Sequence, residues 1–229
     1  MIHRSNDHRA HWQNIYRTRD AGSVSWYRPH LEVSLELLAE SGMSAGSRLI
    51  DVGGGASTLV DDLLERGLRD IGVLDISADA LAVSRRRLGQ RAQEVTWYAH
   101  DVLEVALPAG RFDYWHDRAV LHFLTDPADA RRYADVAANA VSAGGYAVIA
   151  GFAPDGPQRC SGLAVSRRSA QEIAALLAPA FAPVQMRMES HRTPAGHEQR
   201  FVYALLRRRR DAEDSPVSPP DCRPHREPP

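Results

Sequence analysis

The stretch Arg48–Ser57, RLIDVGGGAS, decides how this chain is read. Its first half is a short run rich in branched aliphatic residues, of strand length, and its second half holds three successive glycines. Glycines let the backbone turn sharply and come close to a ligand, and a helix start just beyond them offers free amide N–H groups. The spacing predicts that helix: Leu59, Val60, Leu63 and Leu64 share one helical face, and Gly67 stands where a helix would close.

Outward from this unit the same alternation repeats. IGVLDI (71–76) reads as a second strand, with Ser77 capping the helix ADALAVSRRRLG; VTWYAHD (95–101) and FDYWHD (112–117) read as strands three and four. A helix is expected from Asp126 with Pro127 in its first turn, then a fifth strand, YAVIAGF (146–152), then a helix capped by Ser169 and running to Leu177. PVQMRMES (183–190) and EQRFVYALL (198–206) follow as adjacent strands joined by the turn HRTPAGH. Parallel neighbours need crossover helices, whereas the last two strands have none between them and should pair antiparallel. The expected fold is therefore α/β: a mostly parallel seven-stranded sheet with helices on both faces and one reversed strand near an edge. Ligands of such sheets bind beyond the carboxyl ends of the strands.

Composition narrows the chemistry. In 229 residues, 44% are hydrophobic and 25% charged, ordinary values for a folded globular chain. A net charge of −1 gives no global reason to bind nucleic acid or anionic lipid. All 28 basic residues are arginine, which excludes Schiff-base, P-loop and other lysine-dependent mechanisms. Two cysteines, Cys160 and Cys222, are too few for a disulfide framework or a four-thiolate zinc site. The polar N-terminus and the lack of long apolar runs lead to the expectation of a cytoplasmic chain without membrane contact. Three zones separate: an aromatic-studded leading segment (1–30), the α/β domain (31–206) and an Arg/Pro-rich tail (207–229) expected to be disordered. The arginines at the start of that tail are either a docking site for an acidic partner or the solvated end of the last strand.

The acids around the glycines distinguish cofactor classes. Asp51 lies two residues before Gly53, and Asp75 lies 20 residues after Gly55 at the end of the second strand, where a carboxylate can accept both hydroxyls of a ribose. A dinucleotide fingerprint would want a third, spaced glycine where Thr58 stands, and Asp51 would repel a pyrophosphate. A ligand with cationic groups and no phosphate suits Asp51 better.

At these residues the sequence resembles the class I S-adenosylmethionine-dependent methyltransferases. DVGGGAS is similar to their glycine-rich first motif, VLDIS to their ribose-binding segment, HDV to the adenine-contacting segment and FDYWHDRAVLHFL to their fourth motif. The doubled glycine replaces the more usual G-x-G. The resemblance spans about residues 40–206 and implies S-adenosylmethionine as cofactor and S-adenosylhomocysteine as product. It implies backbone contact from Gly53, Gly54 and Gly55 to the amino acid part, Asp75 with Ile76 at the ribose, Asp101 at the adenine amino group and Val102 as an adenine wall.

The methyl acceptor is read from what surrounds this frame. The fourth motif has His116-Asp117-Arg118-Ala119 in place of the N/D-P-P-Y/F pattern of base amino-methyltransferases, so a nucleic acid substrate is not expected. His116 is placed to take a proton with Asp117 orienting it; the alternative is that His116 forms pocket wall and Asp117 caps the following turn. Trp12, Tyr16, Trp26 and Tyr27 either fold over the cofactor as a lid or staple the first helix to the sheet. Cys160, in the loop after strand five, is a candidate substrate contact or a half-buried small residue. No metal site is expected. The function expected is methylation of a nitrogen, oxygen or sulfur of a small molecule, with a protein lysine or a catalytically inactive cofactor-binding protein as alternatives. Deleting Asp211–Pro229 should leave the melting temperature within about 2 °C of the full chain, measured by calorimetry, because a segment so poor in apolar residues adds nothing to a core.

Overall fold

The computed structural model describes residues 2–210. In chain order the elements are α1 (Ile2–Thr18), α2 (Glu32–Glu40), β1 (Arg48–Val52), α3 (Leu59–Glu65), β2 (Asp70–Asp75), α4 (Ala78–Leu88), β3 (Val95–Ala99) and β4 (Phe112–Arg118). Next come α5 (Pro127–Ala140), β5 (Val141–Phe152), the short pair β6 (Arg159–Cys160) and β7 (Leu163–Ala164), α6 (Ala170–Leu177), β8 (Phe181–Arg192) and β9 (Glu198–Arg208). Seven strands form one sheet in the order β3-β2-β1-β4-β5-β9-β8, and β9 alone runs against its neighbours.

Local signals set the element ends. The Ser77 hydroxyl accepts from the Ala80 N–H, the Asp126 carboxylate from the Ala128 N–H, and Ser169 with Glu172 forms a reciprocal capping box. Gly67, just after α3, sits at φ +90°, a conformation that side chains other than glycine avoid.

The sheet is covered on both faces. Ile50, Trp115, Ile149 and Val202 pack against α5 and α6, while Leu49, Val73, Tyr114 and Val148 pack against α2, α3 and α4. Successive residues of a strand point to opposite faces, so on β4 Tyr114 and His116 face α2, whereas Trp115 and Asp117 face α5. Helix α5 approaches closely because its buried stripe is Ala130, Ala134, Ala137 and Ala140, with Tyr133 as its single large member. The Tyr133 hydroxyl donates to Asp117 Oδ2 at 2.5 Å and accepts from Trp115 Nε1 at 2.9 Å.

Several boundaries differ from the sequence reading: β3 ends at Ala99, and β8 extends two residues beyond the expected 183–190 at each end. The fifth strand begins five residues early, at Val141, where α5 ends directly against it. Arg207 and Arg208 belong to β9, because their ladder continues to Tyr146 and Phe181 and their guanidiniums reach the Gly144, Ala138 and Ala180 carbonyls. Arg209 is also tied down, donating its N–H to the Ala180 carbonyl and its Nε to the Pro179 carbonyl, so the expected disorder does not begin at Arg207; from Asp211 on, Cys222 included, the tail expectation lies outside the described residues.

Tyr133→Phe should lower stability by about 1–3 kcal/mol in urea titration, since it removes one partner from the buried Asp117 and leaves Trp115 Nε1 unpaired.

Candidate functional site

Strand order reverses between β1 and β4, where the chain leaves β2 to one side and β5 to the other. The crevice at this point is floored by the glycine loop. A Cβ on Gly53, at φ +71°, would come within 2.1 Å of the Val120 side chain. On Gly54 it would stand 2.2 Å from Asp51 Oδ2, and on Gly55 2.5 Å from Asp75 Oδ2. The glycines are there because two carboxylates and a valine occupy the space that side chains would need.

Asp51 and His116 lie opposite each other in the β1–β4 ladder and on the same face. His116 Nδ1 lies 2.7 Å from Asp51 Oδ1, and His116 Nε2 lies 2.9 Å from the Ser34 hydroxyl on α2. With Asp51 ionised, Nδ1–H donates to the carboxylate and Nε2 accepts from the serine. Asp51 Oδ2 is buried and has no partner among the described residues. It faces a small cavity of about 50 Å³ whose wall includes Gly53, Gly54, Tyr27, Arg28 and Arg118.

Asp75 ends β2. Its Oδ2 accepts from the Gly55 N–H at 3.1 Å and its Oδ1 from the Ser77 N–H at 2.8 Å. Burial outweighs those two bonds and pushes its carboxyl up to about 6. Asp75 and Ile76 line the main cavity, of about 260 Å³, together with Asp101 and Val102 beyond β3.

Three of the leading-segment aromatics, Trp12, Tyr16 and Trp26, line this cavity. Trp12 packs edge-on to Trp26 (5.7 Å between ring centres) and Phe123 (5.1 Å), and Tyr16 lies against both tryptophans. Tyr16 and Trp26 line both cavities and stand between them. Tyr27 departs from the expected group, since it faces the smaller cavity beside Gly54. Cys160 lines the main cavity from β6, and burial pushes its thiol up to about 12. It is therefore a thiol and not a thiolate at neutral pH.

The segment carrying Trp26 is tied to the far hairpin. Arg28 pairs with Glu189 on β8, His191 Nε2 donates to the Ser25 carbonyl at 2.7 Å, and Arg118 Nη1 donates to the Trp26 carbonyl at 3.1 Å. Arg118 Nε also donates to the Tyr203 hydroxyl at 3.1 Å, and that hydroxyl donates to Glu189 Oε2 at 2.7 Å. Burial pushes the Glu189 carboxyl up, but the Tyr203 hydroxyl and the two guanidiniums outweigh it and hold the group below its ordinary value.

The expected His116–Asp117 pair is corrected by this geometry. The two side chains point to opposite faces of β4, and Asp117 instead accepts from the Val120 and Leu121 N–H groups and from Tyr133, bracing the turn after β4. Both His116 nitrogens are occupied, so neither residue presents a free proton acceptor to the cavity. Sequence reasoning missed Arg28, Arg118, Glu189 and His122, the last a buried imidazole in the main cavity wall. The only signals were single polar residues set in otherwise apolar runs, as in VLHFL. Among the described residues, no group of three or more His, Cys, Asp or Glu is placed to hold a metal ion, and no helix is long and apolar enough to cross a membrane.

Comparison with known proteins meets this geometry at the same elements. Residues 50–147, from β1 into β5, match the family described as a methyltransferase domain. Over 117 residues the chain is 26% identical to the eEF1A lysine and N-terminal methyltransferase of Mus musculus, a match covering 51% of this chain and 16% of that protein. Among solved structures, the Burkholderia thailandensis 1,6-didemethyltoxoflavin-N1-methyltransferase superimposes with a TM-score of 0.71 at 22% identity, covering 91% of this chain and 90% of that one. The N-methyltransferase NodS of Bradyrhizobium japonicum WM9, in complex with S-adenosylhomocysteine, gives 0.64 at 19% identity over 86% and 98% of the two chains.

Glu189→Gln should cost about 3 kcal/mol, the lower end for removing one partner of a buried ion pair because the Tyr203 hydroxyl remains. Limited proteolysis between Arg17 and Arg28 should then run faster than in the parent, and an unchanged digestion rate would mean that the hairpin does not hold the leading segment.

Proposed function

We propose that this protein, a class I S-adenosylmethionine-dependent methyltransferase by its fold and its methyltransferase-domain match, moves a methyl group to a nitrogen, oxygen or sulfur of a small molecule. The observation that carries the reading is the unpaired, buried Oδ2 of Asp51 inside the glycine cradle. An amino acid ammonium fits it, and Arg28 Nε and Arg118 Nη2, both buried and without a hydrogen-bond partner among the described residues, line the same small cavity and suit the carboxylate. In this reading Gly53, Gly54 and Gly55 give the backbone room, Asp75 accepts from the ribose hydroxyls with its remaining lone pairs, Asp101 meets the adenine amino group, and Ile76 and Val102 flank the ring. A pyrophosphate at the glycine loop would meet Asp51 and be repelled.

Bound there, S-adenosylmethionine supplies an electrophilic methyl on a sulfonium, which the lone pair of an acceptor heteroatom takes while the sulfur keeps the bonding pair. The chain's own residues position the partners and exclude water: Trp12, Tyr16 and Trp26 close the cavity, and His116 holds Asp51 in register. His116 and Asp117 are positioning residues in this account. A cavity closed by α1 favours a small acceptor that can be enclosed. The second reading, methylation of a protein lysine, rests on the match to the mouse enzyme.

Calorimetric titration with S-adenosylmethionine, S-adenosylhomocysteine and NAD tests the cofactor; binding of NAD alone would overturn it. The pH dependence has a definite sign. Ribose hydroxyls donate to the ionised carboxylate, and Asp75 titrates near 6 in the free protein. Affinity for S-adenosylhomocysteine should therefore be full above that value and drop about tenfold from pH 7 to pH 5 as Asp75 gains its proton. A flat profile would remove Asp75 from the site.

A further inference from the structure

We infer that His122 is the hydrogen-bonding contact for the methyl acceptor, and that this acceptor is an uncharged planar ring compound with an N–H or O–H at its edge. The inference rests on the methyltransferase reading and names the substrate class for the same site.

His122 sits in the turn Leu121–Phe123 directly after β4, is 2% exposed and lines the main cavity. Neither Nδ1 nor Nε2 has a partner among the described residues. Leaving a buried polar atom unpaired costs stability, and nothing in the packing asks for an imidazole here. Its neighbours are Phe123, edge-on at 4.3 Å between ring centres, and Phe152, tilted at 4.9 Å, so a phenyl ring would serve the wall without that cost. A polar ring kept in such a place is matched to something that arrives from the cavity.

Its charge state says what arrives. Burial foremost, then the guanidiniums of Arg118 and Arg168, push the imidazole down to about 3, so at neutral pH it offers one donor and one acceptor and no charge. The carboxylates lining the same cavity, Asp75, Asp101, Glu104, Asp126 and Asp129, come from the β2 and β3 ends and from the start of α5; the charges acting on His122 itself are the two arginines. An alkylammonium ion placed against His122 would meet that positive field, whereas a neutral N–H or O–H can donate to the free imidazole nitrogen. Flatness follows from the walls: Trp12, Trp26, Phe123, Phe152 and Phe201 present ring faces and edges, which accommodate a planar ring by stacked or edge-on contact. His122 acts by orientation and takes no proton in this account.

The test uses the full chain saturated with S-adenosylhomocysteine and titrated calorimetrically with 4-hydroxyquinoline, 1-naphthol and hexylamine. At least one ring probe should bind at least about tenfold more tightly than hexylamine. His122→Phe should weaken that ring probe about tenfold or more while leaving S-adenosylhomocysteine affinity within about twofold. His122→Asn, which keeps a donor and an acceptor, should recover part of the loss and serves as the measured variant if His122→Phe does not fold; it should then bind the ring probe more weakly than wild type. Equal binding of the ring probe by wild type and variant, tighter binding of hexylamine, or no binding of either ring probe would each overturn the inference. Failure of wild type to bind S-adenosylhomocysteine would instead overturn the cofactor reading, and this inference with it.

Discussion

A carboxylate held out of water between two parallel strands governs the active end of this molecule. Asp51 can stay there because one of its oxygens is fixed by His116, itself fixed by Ser34 on α2, so that three elements converge on one charged group. The register of β1 against β4 is what brings the two side chains opposite each other, and a slip of β1 by one residue would turn Asp51 to the face away from His116. The second oxygen has no partner among the described residues, and the three glycines are the steric consequence of the space that Asp51, Asp75 and Val120 already take. Burying a charge without full compensation is costly to a fold, and sites of this kind are where chains bear that cost for binding.

The reversed strand serves the same site from a distance. Pairing β9 between β5 and β8 brings Tyr203 and Glu189 beneath the leading segment, where they engage Arg118 and Arg28. Arg28 also lies 3.6 Å from Glu32 and Arg118 lies 3.8 Å from Glu189, and Arg118, which lines both cavities, joins them through one rigid side chain. Its plane also rests over Phe201 at 4.3 Å, which fixes the guanidinium without using up its Nη2 donor.

How much of this was legible in the sequence follows from the range of each interaction. Caps at Ser77, Asp126 and Ser169 act within three residues, so the helix starts are written where they occur. The glycine loop was legible as a turn because its conformation depends on neighbours in one strand and turn, whereas the contact between Gly55 and Asp75 spans 20 residues and two strands. The His116–Asp117 pairing failed because adjacency in a strand means opposite faces, and the true partners lie 65 and 16 residues away. Arg28 and Glu189 are 161 residues apart, and only the hairpin's return across the sheet joins them. Helix α1 had no signature either: its residues are polar with interspersed aromatics, and it is held by ring contacts and by the Arg17–Asp79 pair to α4.

The tie between the leading segment and the β8–β9 hairpin sets an order on the birth of the molecule. A ribosome releases α1 first, yet Glu189 and His191, which hold the chain at Arg28 and Ser25, emerge near the end of translation. Through most of synthesis the nascent chain therefore carries Ser25 and Arg28 without their hairpin partners, while β1 to β5 and their helices can already assemble. The glycine cradle, set between β1, β2 and β4, can therefore be complete before the segment that covers it is secured.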